Sequence, residues 1–186
     1  MEVRHVQIGN QILAVDDQGQ LLWSPVTFHF HRPNERQTLG LEIMLESGTK
    51  VTLTPEHQVI VSSLCQVDDL KLLDSLPASE IREGMCLFRS QFGFENEVIP
   101  EKVIEIRHKI MVGLYSPVTR EGTLIVNNIT VSSYSFIHHQ RAHLLFSNYY
   151  KLSEKKQQTV QDTFLEADAN HGIFDWIGNL GVELSC

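Results

Sequence analysis

Thr54-Pro55-Glu56-His57 sets a hydroxyl and an imidazole three residues apart on a sharp bend. Pro55 has no backbone N–H for a strand ladder and pushes Thr54 into an extended conformation. Val51 and Leu53 before it alternate with polar neighbours, as in a strand with one buried face. Val59 and Ile60 after it resume an apolar run. On such a bend the two side chains can face one small volume and act together on a single backbone group. A turn carrying a polar threonine and a surface histidine fits the same four residues.

Other chemistry-bearing residues are weaker as groups. His29 and His31 lie two apart, so on a strand they share a face. His139 and His143 stand at i, i+4, a spacing able to bind metal. No glutamate lies between them as in a zincin helix, and with His138 they suit packing and surface roles better. Cys65, Cys86 and Cys186 are widely spaced and odd in number, so neither a disulfide framework nor a metal site is expected. No cofactor is implied.

The 186 residues suffice for one domain with a core, or one domain plus an appendage. A net charge of −8 argues against a nucleic-acid partner and against attraction to an anionic membrane. No stretch approaches the ~18 apolar residues of a transmembrane helix. Met1-Glu2-Val3-Arg4-His5 lacks the apolar core of a signal peptide.

The elements that must position the bend read mostly as strands. Val6 to Val15 is a turn into a strand, Asp16 to Gln20 a hairpin turn, and Leu21 to Phe30 a second strand with an edge or bulge at Pro25. Leu41 to Leu45 is a third strand. Residues 61 to 80 read as a loop with a short strand. The pattern then restarts: Ile81 to Phe88 resembles Val6 to Leu13, Val103 to Ile106 takes the place of Val26 to Phe30, and Arg120 to Val126 repeats Glu46 to Thr52. Gly9 to Gly84 is an offset of 75 and Gly48 to Gly122 one of 74. Two near-equal offsets indicate a duplicated strand-rich unit, whose halves would interlock around one core. Residues 136 to 158 favour helix, 159 to 171 a loop, and Ile173, Trp176, Ile177 and Leu180 share one helical face.

Gly113 to Asn127, Ser132-Ser133-Tyr134-Ser135 and Ala142-His143 resemble the C-terminal autoprocessing domain of hedgehog proteins, the hedgehog/intein (Hint) fold. Thr54-Pro55-Glu56-His57 looks like its Thr-x-x-His motif, and Gly172 to Trp176 like a segment near its end. The resemblance implies a mainly β fold with pseudo-twofold symmetry over residues 1–135, and a helical appendage over 136–186 similar to the sterol-recognition region. It implies a reaction as well. A leading cysteine attacks the preceding carbonyl to give a thioester, and a sterol or other hydroxyl then releases the upstream signalling domain. Thr54 and His57 would hold and polarise the scissile peptide, with a histidine near its ordinary pKa of about 6.5 donating a proton. The secretory pathway or the cell exterior would be the compartment.

Three departures stand out. The family's leading cysteine and first strand fall ahead of Met1, so no nucleophile is assigned. Its second-strand aspartate aligns with His31, which either serves as a base toward the acceptor or is a plain strand histidine. Its late cysteine aligns with Ser133. The expected function is therefore hedgehog-type autoprocessing that needs an upstream cysteine. The alternative is a non-catalytic relic that binds a partner or a lipid.

Overall fold

The computed structural model describes residues 2–30, 37–68, 74–91 and 97–152. Eleven strands and one α-helix make up the regular structure of these residues. The first half contributes β1 (Gln11–Val15), β2 (Leu21–His29), β3 (Gln37–Leu45), β4 (Lys50–Leu53) and β5 (His57–Ser62). A short β6 (Ser75–Pro77) precedes the second half: β7 (Cys86–Gln91), β8 (Glu97–Val112), β9 (Pro117–Thr119), β10 (Thr123–Val126) and β11 (Ile129–Ser135). Helix α1 (His139–Leu152) follows.

The duplication shows in the hydrogen bonds. Gly9 N–H donates to the Val26 carbonyl and Val26 N–H to Asn10, each at 2.8 Å. Gly84 and Val103 repeat this, with Met85 in place of Asn10, again at 2.8 Å. Both glycines hold a positive φ, +88° and +87°, which a side chain would strain. The halves then exchange hairpins. The β1–β2 hairpin pairs with β9 of the second half, and β7–β8 pairs with β3 of the first. At the centre β5 pairs antiparallel with β11, Val59 opposite Val131, both buried. The alternation of Val51, Leu53, Ile43 and Leu45 supplies the main core, which neither half could close alone.

Several elements run longer than the sequence suggests. β3 starts at Gln37, and β8 spans 16 residues, because Thr38 to Gly40 pair with Lys109 to Met111. Pro25 does lie next to an irregularity, a register shift between Val26 and Phe28 against β9. The expectation for the cysteines is overturned: Cys65 and Cys86 form a disulfide. Ser62 pairs with Cys86 across β5 and β7, so the chain leaving β5 returns Cys65 to its partner, a juxtaposition set by sheet register. The face formed by Ile173 to Leu180 lies outside the described residues.

Helix α1 is seated on the sheet by its first turn. Ser75 Oγ accepts the His139 backbone N–H at 3.0 Å and donates to Gln58 Oε1. His138 Nε2–H donates to the Asp74 carboxylate at 2.9 Å. Ala142 and Phe146 pack on Phe28, Phe30 and Tyr134, with Tyr134 stacked on Phe146 at 5.4 Å. No helix among the described residues is long and apolar enough to cross a membrane.

Candidate active site

The Thr54–His57 bend sits between β4 and β5, tied down on every side by backbone bonds. His57 N–H donates to the Thr54 carbonyl at 3.1 Å and closes the turn. The Pro55 carbonyl accepts from Ser79 N–H at 2.9 Å, and that of Glu56 from Phe136 N–H at 3.1 Å. The two side chains open into a cavity of about 810 Å³. Its walls also carry Glu2, Val3, Arg4, Leu53, Met111, Tyr115, Leu124, Val131 and Ser135. Thr54 and His57 therefore line one cavity.

His57 lines the cavity and is half-buried as a residue, and burial dominates the environment of its ring. Nε2 lies 2.8 Å from the Ser132 carbonyl. A carbonyl can only accept, so Nε2 carries the proton and Nδ1 the lone pair. Ser135 Oγ stands 3.3 Å from Nδ1 and donates to it. Burial disfavours the charged ring and pulls its pKa down to about 4, only partly offset by the bond to Ser132. The ordinary value expected from sequence is thus not the one the fold imposes, and the ring is neutral near pH 7.

The other sequence candidates fall elsewhere. His31 lies outside the described residues. Ser133 is buried in β11, where its Oγ accepts the Thr119 N–H at 3.4 Å and its own N–H donates to the Gly122 carbonyl. It takes no part in the cavity wall. His139 and His143 stack at 5.8 Å, with Tyr134 O–H against His143 Nδ1. Among the described residues no group of three or more His, Cys, Asp or Glu could hold a metal ion. Ser132 and Ser135, which set the tautomer of His57, are missed by motif reading. The segment Ser132-Ser133-Tyr134-Ser135 stands among those that carry the family resemblance, but a run of hydroxyls in an otherwise apolar strand does not by itself say which of them faces His57.

A family model described as the Hint module matches residues 1–185. This chain belongs to the Hint family. The Hint domain is of the hedgehog type: it is 29% identical over 182 residues to warthog protein 8 of Caenorhabditis elegans, covering 97% of this chain and 31% of that protein. It is 29% identical over 136 residues to the hedgehog protein of Drosophila yakuba, covering 73% and 28%. It thus spans under a third of either relative. The fold is also that of solved inteins. A DnaB intein from Synechocystis superposes with a TM-score of 0.58 at 11% identity, over 72% of this chain and 86% of the other. The gp41-1 intein gives 0.53 at 19%, over 71% and 86%.

Proposed function

We propose that this Hint domain carries out hedgehog-type autoprocessing on a segment joined ahead of Val3, in which Thr54 and His57 act on the scissile peptide. The observation that carries this reading is their joint opening, with Glu2 and Val3, into one cavity. The duplication supports it. The short 3-10 turn Val3–His5 has a counterpart 75 residues on, Ala78–Glu80, and that copy is preceded by a strand, β6. A strand entering ahead of Val3 would deliver its backbone straight to Thr54 and His57.

The chemistry then runs as follows. The sulfur of an upstream cysteine attacks the carbonyl carbon before it, and neutral His57 takes the thiol proton at Nδ1 as the long Ser135 hydroxyl bond to that nitrogen is given up. The C–N bond breaks, and the same proton passes to the departing nitrogen, leaving a thioester and a free amine. A hydroxyl oxygen then attacks the thioester and the sulfur leaves as the thiol. The acceptor is a sterol, another lipid alcohol or water, with His31 as the candidate base on the family resemblance alone. The upstream partner in cis is a signalling domain, and residues 136–186 act as the acceptor-recognition appendage to the β domain of residues 1–135.

A second reading has its own observation. Leu39 and Val112, 54% and 64% exposed, stand on the cavity wall, which suits a non-catalytic lipid-binding module. One experiment separates them. The chain is extended upstream by a reporter and a cysteine-led strand and treated with hydroxylamine, which cleaves a thioester without reducing Cys65–Cys86. Cleavage that falls roughly 10²–10⁴-fold in His57→Ala supports autoprocessing. An uncleaved fusion, or one cleaved equally without His57, leaves the binding module.

A further inference from the structure

We propose that His139 is a positioning residue for His57: through Ser132 it holds open a bulge in β11 that aims the Ser132 carbonyl at the His57 ring. The bulge is visible in the register. Val131 pairs with Val59 and Ser135 with His57, so β11 runs four residues (131 to 135) where β5 runs two (57 to 59). Extra residues on one strand leave backbone groups outside the ladder and re-aim what they carry. Here the Ser132 carbonyl goes to His57 Nε2 at 2.8 Å, and the buried Tyr134 N–H goes to Ser132 Oγ at 3.0 Å.

His139 supplies the remaining contact. Its Nδ1 lies 3.0 Å from Ser132 Oγ. That hydroxyl accepts from Tyr134 and has no other acceptor among the described residues to take its one proton, which is therefore assigned to His139 Nδ1. The proton of His139 is then on Nε2, which is buried with no hydrogen-bond partner among the described residues. A buried polar N–H without a partner is costly, and a leucine or phenylalanine of similar volume would avoid it. The imidazole therefore serves through its other nitrogen. Burial, then the neighbouring His143 and His138, push its pKa down to about 3 and keep it neutral as an acceptor. Ser132 thus faces two histidines, with its hydroxyl held by His139 and its carbonyl holding His57.

Only the catalytic meaning of this latch rests on the function proposed above. Its geometry can be read in the chain as it stands. With ¹⁵N-labelled histidine, long-range ¹H–¹⁵N spectra report the tautomer of His57 and its titration midpoint. The wild-type chain is expected to show a single Nε2–H tautomer and a midpoint near pH 4. Ser132→Ala and His139→Leu should give a tautomer mixture and lower the midpoint further, because the Ser132 carbonyl bond that favours the charged ring is lost while the burial that disfavours it stays. His139→Asn, whose Oδ1 can stand where Nδ1 stood, should restore both. Glu2, Arg4, Glu56 and Tyr115 line the same cavity as His57, and His138, His143 and Tyr134 pack about His139. All are common to the variants, so the shift is read against a constant background. Folded Ser132→Ala with His57 unchanged overturns the proposal. So does a Ser132→Ala chain that fails to fold, since a latch confined to the bulge leaves the core intact. Should His139→Leu not fold, Ser132→Ala decides alone. If the tautomer responds but the extended fusion never cleaves, the positioning holds and only the function reading falls.

Discussion

Removing the Cys65–Cys86 bridge, by Cys65→Ala with Cys86→Ala, should destabilise the domain without changing its topology. The two cysteines are 21 residues apart. Closing a loop of that length restricts the unfolded chain by about 3 kcal/mol on the chain-entropy relation. For a protein of this size each kcal/mol moves the melting temperature by roughly 2–4 °C, so a fall of about 6–12 °C is expected in thermal melts followed by circular dichroism. A reductant should bring the wild-type chain to the same point and leave the double variant unmoved. Thiol titration of the unfolded chain should count one free thiol before reduction and three after, from the three cysteines present. The effect has a place as well as a size. The closed loop carries Asp74 and Ser75, which seat the first turn of α1, so the His139 amide should exchange with solvent sooner once the bridge is gone. Three thiols in the oxidised chain, or a melt indifferent to reductant, would refute the reasoning.

Two further outcomes are expected. Gly122 has φ +72° and a Cβ there would lie 2.5 Å from His143 Nδ1 and 3.0 Å from Tyr134, whereas its counterpart Gly48, φ +82°, has open space around it. Gly122→Ala should cost about 2–4 kcal/mol and Gly48→Ala about 1 kcal/mol in urea unfolding; equal costs would show that the His143 contact is unimportant. Stability should also fall on mild acidification. His57 and His139 have folded pKa values below their unfolded value of 6.5, so the unfolded state binds more protons as pH drops. Stability is therefore complete above about pH 6.5, and the His57 share is lost by about pH 4 and the His139 share by about pH 3. The slope is roughly 1.4 kcal/mol per pH unit for each histidine between its folded and unfolded values. Urea midpoints that stay level from pH 6.5 to 4.5 would contradict both burials.

The duplication was legible because each copy needs a glycine at one place, and Gly9, Gly84, Gly48 and Gly122 all hold positive φ. The bend was legible because Pro55 breaks a strand pattern that resumes at Val59, four residues later. Local signals of this kind depend on neighbours in sequence. The rest depends on neighbours in the sheet. Nothing near Cys65 announces Cys86, because their meeting follows from Ser62 lying opposite Cys86 in the β5–β7 ladder. The β11 bulge is a count of residues against another strand, invisible in either strand alone. The low pKa of His57 comes from walls contributed by segments far along the chain. Residues 97 to 102 of β8 hide for a related reason: Pro100 discourages a strand reading, yet it is accommodated opposite Phe88.

The exchanged hairpins also set a clock. The buried Thr123 hydroxyl bonds both the N–H and the carbonyl of Val15, 108 residues earlier. At ~5–20 residues per second of synthesis, β1 waits roughly 5–20 s for that partner to leave the ribosome. Ser132 and Ser135, which orient His57, emerge later still. A half-made domain therefore lacks the groups that orient the imidazole, and under the proposed autoprocessing an upstream peptide bond would stay out of danger during translation. On that proposal, chains stalled or truncated before residue 135 should keep any upstream segment attached, which would tie its release to complete synthesis of the strands behind it.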